Sequence, residues 1–199
     1  GHFKSEIAPY EVPSRKGPVV FDTDEHPKAT TLEALAGLKP AFRKDGTVTA
    51  GNASGINDGA AALVLARADA AQAAGLKPRA RLLGYAVAGV PARVMGYGPI
   101  PAVQALLART SLTLDDFDLI ESNEAFAAQA IAVNRGLGLD PEKVNPDGGA
   151  VALGHPVGAT GAILTVKALH ALERKGQRRA IVTMCIGGGQ GIALALERI

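Results

Sequence analysis

The chain has 199 residues, 47% of them apolar and 20% charged, with a formal net charge of +2. That apolar mass can bury roughly 70% of the unfolded surface, and the dispersed basic residues exclude the cationic stripe of a nucleic-acid binder. The single cysteine forms no internal disulfide and no apolar run approaches the roughly 20 residues that span a bilayer, so a small-molecule partner in a reducing, cytoplasmic setting is expected.

Gly1 to Ile7 show no initiator methionine, apolar leader or processing signature, and the sequence is expected to begin inside a longer protein. Residues 1–58 are dense in breakers, with Pro9, Pro13, Pro18, Pro27 and Pro40 beside Gly17, Gly37, Gly46, Gly51 and Gly55. Such a stretch cannot build its own core and reads as an excursion over another surface, the form that substrate-covering segments take. Its one helical signal is Thr31 to Leu38, where Leu32, Leu35 and Leu38 share a face behind a threonine cap.

Gly59 to Ala66 (GAAALVLA) predicts a strand buried on both faces, and Arg67 to Gly75 a helix stopped by Gly75. Beyond Pro78 the pattern predicts a strand over 80–88, a helix over 100–109 opened near Pro99 and Pro101, and a strand over 118–121. Thr113 and Asp116 form a capping box between the last two. Helices follow over 124–135 and 160–175, then strands over 180–185 and 192–197. Alternating strands and helices imply an α/β sheet with helices on its faces. Residues 59–78 supply one strand and one helix that need a sheet from elsewhere.

From Gly148 to Gly191 the chain holds ten glycines and its only cysteine. Glycine loses the most backbone freedom on folding, so this density marks backbone that turns sharply or approaches something closely. Cys185 sits where an apolar strand enters Gly187-Gly188-Gly189, whose N–H groups can form a nest that lowers a thiol pKa or stabilises an oxyanion. As a small buried hydrophobe it would need no such setting. His155, held between Gly154 and Pro156 ahead of a helix, is placed to take a proton from a thiol or donate to a carbonyl oxygen. Asn123 follows a strand and precedes a helix, where it serves either as an N-cap or as an amide orienting a water or carbonyl. Gly51-Asn52-Ala53-Ser54-Gly55-Ile56-Asn57-Asp58 offers polar groups to a ligand or forms a simple loop. Arg174, Lys175, Arg178 and Arg179 read as a solvated helix end. No spacing fits a metal site.

Taken together and in order, GNASGIND, NEAFA, GGAVALGHPVGATGA and CIGGGQG resemble the thiolase family, acetyl-CoA acetyltransferases and 3-ketoacyl-CoA thiolases, over the whole chain but only the carboxyl-terminal half of a typical member. The resemblance implies a layered αβαβα fold of two similar halves. Residues 1–54 would end the loop domain, 55–78 end the amino-terminal half, and 79–199 form the carboxyl-terminal domain. It also implies transfer of an acyl group from a nucleophilic cysteine of the first half to a second acyl-CoA, or the reverse thiolysis. His155 would activate that nucleophile, with Asn123 holding a water, Cys185 acting as acid and base, and the Gly187 N–H completing an oxyanion hole. Ser54, Ala50, Leu38, Met95 and Phe126 would line the channel for the pantetheine arm. Coenzyme A and acyl-CoA enter as substrates, with no further cofactor, and a homodimer or homotetramer is implied. Because the nucleophile-bearing half is not in these residues, the chain alone is expected to be inactive; near the phosphate end, Lys28 stands where an arginine is frequent. The alternative is a non-catalytic acyl-CoA-binding or lipid-binding module. A nucleotide-phosphate loop at Gly158 to Ala162 fits poorly because its lysine is missing.

Overall fold

The computed structural model describes all 199 residues. Residues 1–77 form a short antiparallel hairpin, β1 (Tyr10–Val12) with β2 (Val19–Phe21), and two small helices, α1 (Leu32–Ala36) and α2 (Ala68–Ala73). Thr31 caps α1 as its position suggests, its hydroxyl accepting the Ala34 N–H at 3.2 Å. No residue of 1–58 is buried, which bears out the inability of that stretch to build a core, and Ala71 is the only buried residue up to 77. The hairpin went unforeseen because three-residue strands around Pro18 carry too little alternation to register.

The predicted strand over 59–66 does not form. These residues are irregular, with Val64 93% and Leu65 76% exposed. A strand needs a ladder partner as well as apolar residues, and neither edge of the main sheet takes this segment.

The body of the fold follows from residue 80. Strand β3 (Ala80–Gly89) leads through a 3₁₀ turn at Ala92–Tyr97 into α3 (Pro99–Thr110), then the capping box at Thr113 and Asp116, and β4 (Leu119–Ser122). Helices α4 (Ala127–Leu137), α5 (Ala150–Leu153) and α6 (Thr160–Lys175) precede the hairpin of β5 (Arg179–Ile186) and β6 (Gln190–Arg198). The sheet order is β3-β6-β5-β4, with β4 parallel to β5 and the other pairs antiparallel.

Period-two alternation sorts side chains onto two cores. Ile120, Ile181, Ala193 and Ala195 face Ala102, Val103 and Leu106 of α3, while Leu119, Ala180, Val182 and Leu196 face Leu164, Ala168, Ala171 and Leu172 of α6. The result is a sheet held between helices on both faces.

Beneath the loop before α5 lies a buried ion pair. Glu121 on β4 is fully buried, and Lys167 of α6 stands 2.8 Å from its Oε2 while also donating to the Gly148 carbonyl. Burial raises the Glu121 carboxyl to about 7 against the opposing pull of Lys167. In the unfolded chain the group returns towards 4.5, so between those values the folded state holds more protons and stability falls as pH rises. Glu121→Gln should flatten that fall. Urea midpoints of both proteins at about pH 5 and about pH 7.5 check it, and parallel slopes would count against the raised carboxyl.

Candidate active site

Because β4 and β5 run parallel, their carboxyl ends open on the same rim, where α/β sheets place ligands. The Asn123 N–H donates to the Thr183 carbonyl at 3.0 Å, extending the ladder one residue beyond β4. Its side chain does not cap a helix. Helix α4 starts three residues later than the sequence predicts, because Ala53 bridges Phe126 and Ala127 N–H donates to Asn52 O at 2.9 Å, which holds Phe126 extended. Fully buried and free of the cap, the Asn123 amide instead brings Nδ2 within 3.4 Å of His155 Nε2.

The His155 ring is oriented from its other nitrogen. Nδ1 lies 2.7 Å from Thr160 Oγ1, and that hydroxyl donates its only proton to the Pro156 carbonyl at 2.8 Å. Thr160 can therefore only accept, so Nδ1 carries the hydrogen and Nε2 presents a lone pair towards Asn123. Burial lowers the His155 pKa and keeps the ring neutral. A neutral imidazole with a fixed tautomer and a bare Nε2 is a proton acceptor.

Besides buried Thr160, two half-buried polar side chains hold the surrounding loops. Asn145, in a left-handed conformation at φ 45°, accepts the Ser122 N–H and donates to the Ser122 carbonyl, both at 2.8 Å. It also donates to Glu124 Oε1 at 3.2 Å, and Glu124 Oε2 accepts the Val151 N–H at 3.1 Å in the first turn of α5. Gly149 leaves room for this carboxylate, since an added Cβ would lie 2.1 Å from the Glu124 carboxyl carbon and displace it. Thr160, Asn145 and Glu124 were missed as site residues. Their bonds to His155, Ser122 and Val151 span 5 to 27 positions at no helical or strand period, so spacing gives no signal.

Cys185, the last residue but one of β5, pairs opposite Gly191 and is buried. The expected depression of its pKa by the glycine nest is corrected: burial pushes the thiol up and outweighs the opposing backbone hydrogen bond. The turn itself is shaped by glycine. Gly189, at φ 98°, passes so close to Val90 that a Cβ would lie 2.2 Å from the Val90 carbonyl oxygen, whereas Gly187 is exposed with open space beside it.

The proposed channel residues sit on segments that contact one another. Ser54 Oγ donates to the Ala125 carbonyl at 3.2 Å, and Phe126 meets Phe42 edge-on at 6.2 Å between ring centroids. Leu38 packs on Gly51, next to exposed Ala50. The turn holding half-buried Met95 is pinned to α4 where Gln129 Nε2 donates to Gly96 O at 3.3 Å. No helix is long and apolar enough to cross a membrane.

Fold and site bring a buried asparagine amide and an oriented histidine together at the rim of a mixed α/β sheet. The thiolase amino-terminal domain model matches residues 1–69, and the thiolase carboxyl-terminal domain model matches residues 76–198. The β-ketoadipyl-CoA thiolase of Pseudomonas aeruginosa is 59% identical over 202 residues, an alignment covering 100% of this chain and 50% of that protein. The crystal structure of Bacillus anthracis acetyl-CoA acetyltransferase matches with a TM-score of 0.94 at 54% identity, over 100% of this chain and 51% of that one. Human mitochondrial 3-ketoacyl-CoA thiolase in complex with CoA matches at 0.88 and 44% identity, over 100% and 50%. The chain belongs to the thiolase family and has the thiolase fold, and it spans about half the length of the curated relatives it matches.

The tautomer is directly measurable. Nitrogen-15 spectra near neutral pH should show His155 Nε2 bare and Nδ1 protonated. Thr160→Val, which removes the acceptor, should give a tautomer mixture; an unchanged spectrum would show that Thr160 does not set it.

Proposed function

We propose that this chain is the carboxyl-terminal half of an acyltransferase that makes or thiolytically cleaves 3-ketoacyl-CoA, working with a nucleophilic cysteine from an amino-terminal half. The observation that carries the reading is the His155 ring, neutral with a bare Nε2 facing a buried amide. The names of the related thiolases support the same chemistry.

In acylation, His155 Nε2 takes the proton of the incoming cysteine thiol. The resulting thiolate attacks the thioester carbonyl, the carbon–sulfur bond to coenzyme A breaks, and Cys185 gives its proton to the departing thiolate. A thiol kept protonated by burial suits that step. Cys185, now a thiolate, removes the α-proton of a second acyl-CoA. The carbanion attacks the acyl-cysteine carbonyl, the cysteine leaves, and His155 returns its proton to it. Every proton is restored at the end of the cycle. Asn123 and His155 together hold a water or carbonyl oxygen, and the Gly187 N–H stabilises the oxyanion of the acyl-cysteine. Ser54, Ala50, Leu38, Met95 and Phe126 line the pantetheine channel.

In this proposal residues 1–54 end a substrate-covering domain, 55–78 complete the amino-terminal half and 79–199 form the carboxyl-terminal domain, within a cytoplasmic homodimer or homotetramer. Residues 59–66 become a strand only when that other half supplies its sheet.

The purified chain should show no thiolysis of acetoacetyl-CoA, and joining it to the amino-terminal half of a close relative should restore turnover. Turnover by the chain alone overturns the proposal; persistent inactivity of the joined protein with tight acyl-CoA binding favours a binding module. In the joined enzyme, Cys185→Ser should cut condensation by about 10²–10⁴-fold while acyl-enzyme still accumulates. Condensation undiminished in Cys185→Ser would remove Cys185 from its role.

A further inference from the structure

One side chain reaches His155 from outside the sheet domain. Asn57 Oδ1 lies 3.1 Å from the His155 backbone nitrogen. A backbone N–H only donates, so the atom facing it is the amide oxygen, and Nδ2 therefore turns the other way, 3.5 Å from His26 Nδ1. Two glycines make room for this stack. Gly154, at φ 94°, has Asn57 Oδ1 where a Cβ would meet it at 2.4 Å, and a Cβ on Gly55 would meet His26 Cε1 at 2.3 Å. Ile56 also bridges His155 in parallel.

The mechanical consequence concerns the base. Thr160 holds the imidazole at Nδ1, but the residue before His155 is a glycine, with no Cβ to restrict its backbone. The Asn57 hydrogen bond closes that freedom from the other side, leaving the ring anchored at its tip and at its main chain.

We infer that Asn57 is a positioning residue that fixes the His155 main chain and, through His26, links the base to the covering segment. The inference rests on the reading of His155 as the base. Seating the cover and setting the base thereby become one event, since His26 belongs to the segment that covers the substrate.

The test uses the full-length enzyme containing this segment, with acetoacetyl-CoA and coenzyme A. Asn57→Ala should lower kcat about tenfold with KM within about twofold, because the loss is of alignment rather than of binding. Asn57→Asp, which keeps an acceptor oxygen, should hold kcat within about threefold of the parent. Unchanged kcat in Asn57→Ala, or equal losses in both variants, overturns the inference. Should Asn57→Ala not accumulate as folded protein, Asn57→Ser takes its place against Asn57→Asp, and the same two outcomes decide. His26→Ala should lower kcat in the parent and have no further effect beside Asn57→Ala; additive losses would remove the link to the cover. His155→Ala, run in parallel, separates the two levels: retained activity there refutes the base itself, not only its anchor.

Discussion

The structure depends on one constraint, that the central strand β5 is buried on both faces. Ala180 and Val182 pack towards α6 while Ile181 packs towards α3, so a slip of one residue would exchange the two cores. That register sets where β5 ends, and hence the position of Cys185 and of the glycine turn behind it. It also sets β4, whose parallel pairing from Leu119 with Ala180 to Ser122 with Thr183 delivers Asn123 to the same rim. Apolar packing thus decides where the reactive groups stand without touching any of them.

Those groups are then tuned by polar contacts of a different kind. Within the apolar frame lie Glu121, Lys167, Asn145, Glu124 and Thr160, each buried or half-buried and each joining elements that are distant in the chain or turning at the site. Replacing a buried ion pair by apolar residues is often neutral for stability, so the Glu121–Lys167 pair is weak support for the fold as such. Its geometric effect is clearer: Lys167 ties α6 both to β4 and to the Gly148 carbonyl at the entrance of the loop that carries His155. Stability and precision are supplied by separate sets of residues.

This division explains what was legible beforehand. Helices α3 and α6 and strands β3, β5 and β6 were readable to within one or two residues, because their periodicity is the periodicity of the two cores. His155, Cys185 and Asn123 stood out as unusual residues in glycine-rich or strand-end settings. Thr160 was legible only as the first residue of α6, since its bond to Nδ1 depends on how the chain turns at Pro156. The start of α4 was misplaced because Phe126 bridges a residue 73 positions earlier, and a long-range pairing leaves no trace in local propensity. The strand over 59–66 was over-read for the opposite reason. Its apolar pattern is real, but pattern alone cannot provide a ladder.

That last segment has a colloidal consequence. GAAALVLA carries no charge and no proline across eight residues, and here its backbone is unpaired and its Val64 stands almost wholly in water. Such a stretch is a template for cross-β association between copies, held in check only when it is stitched into a sheet. The well-packed domain that follows does nothing to cover these eight residues, so the liability travels with them wherever they stay unpaired.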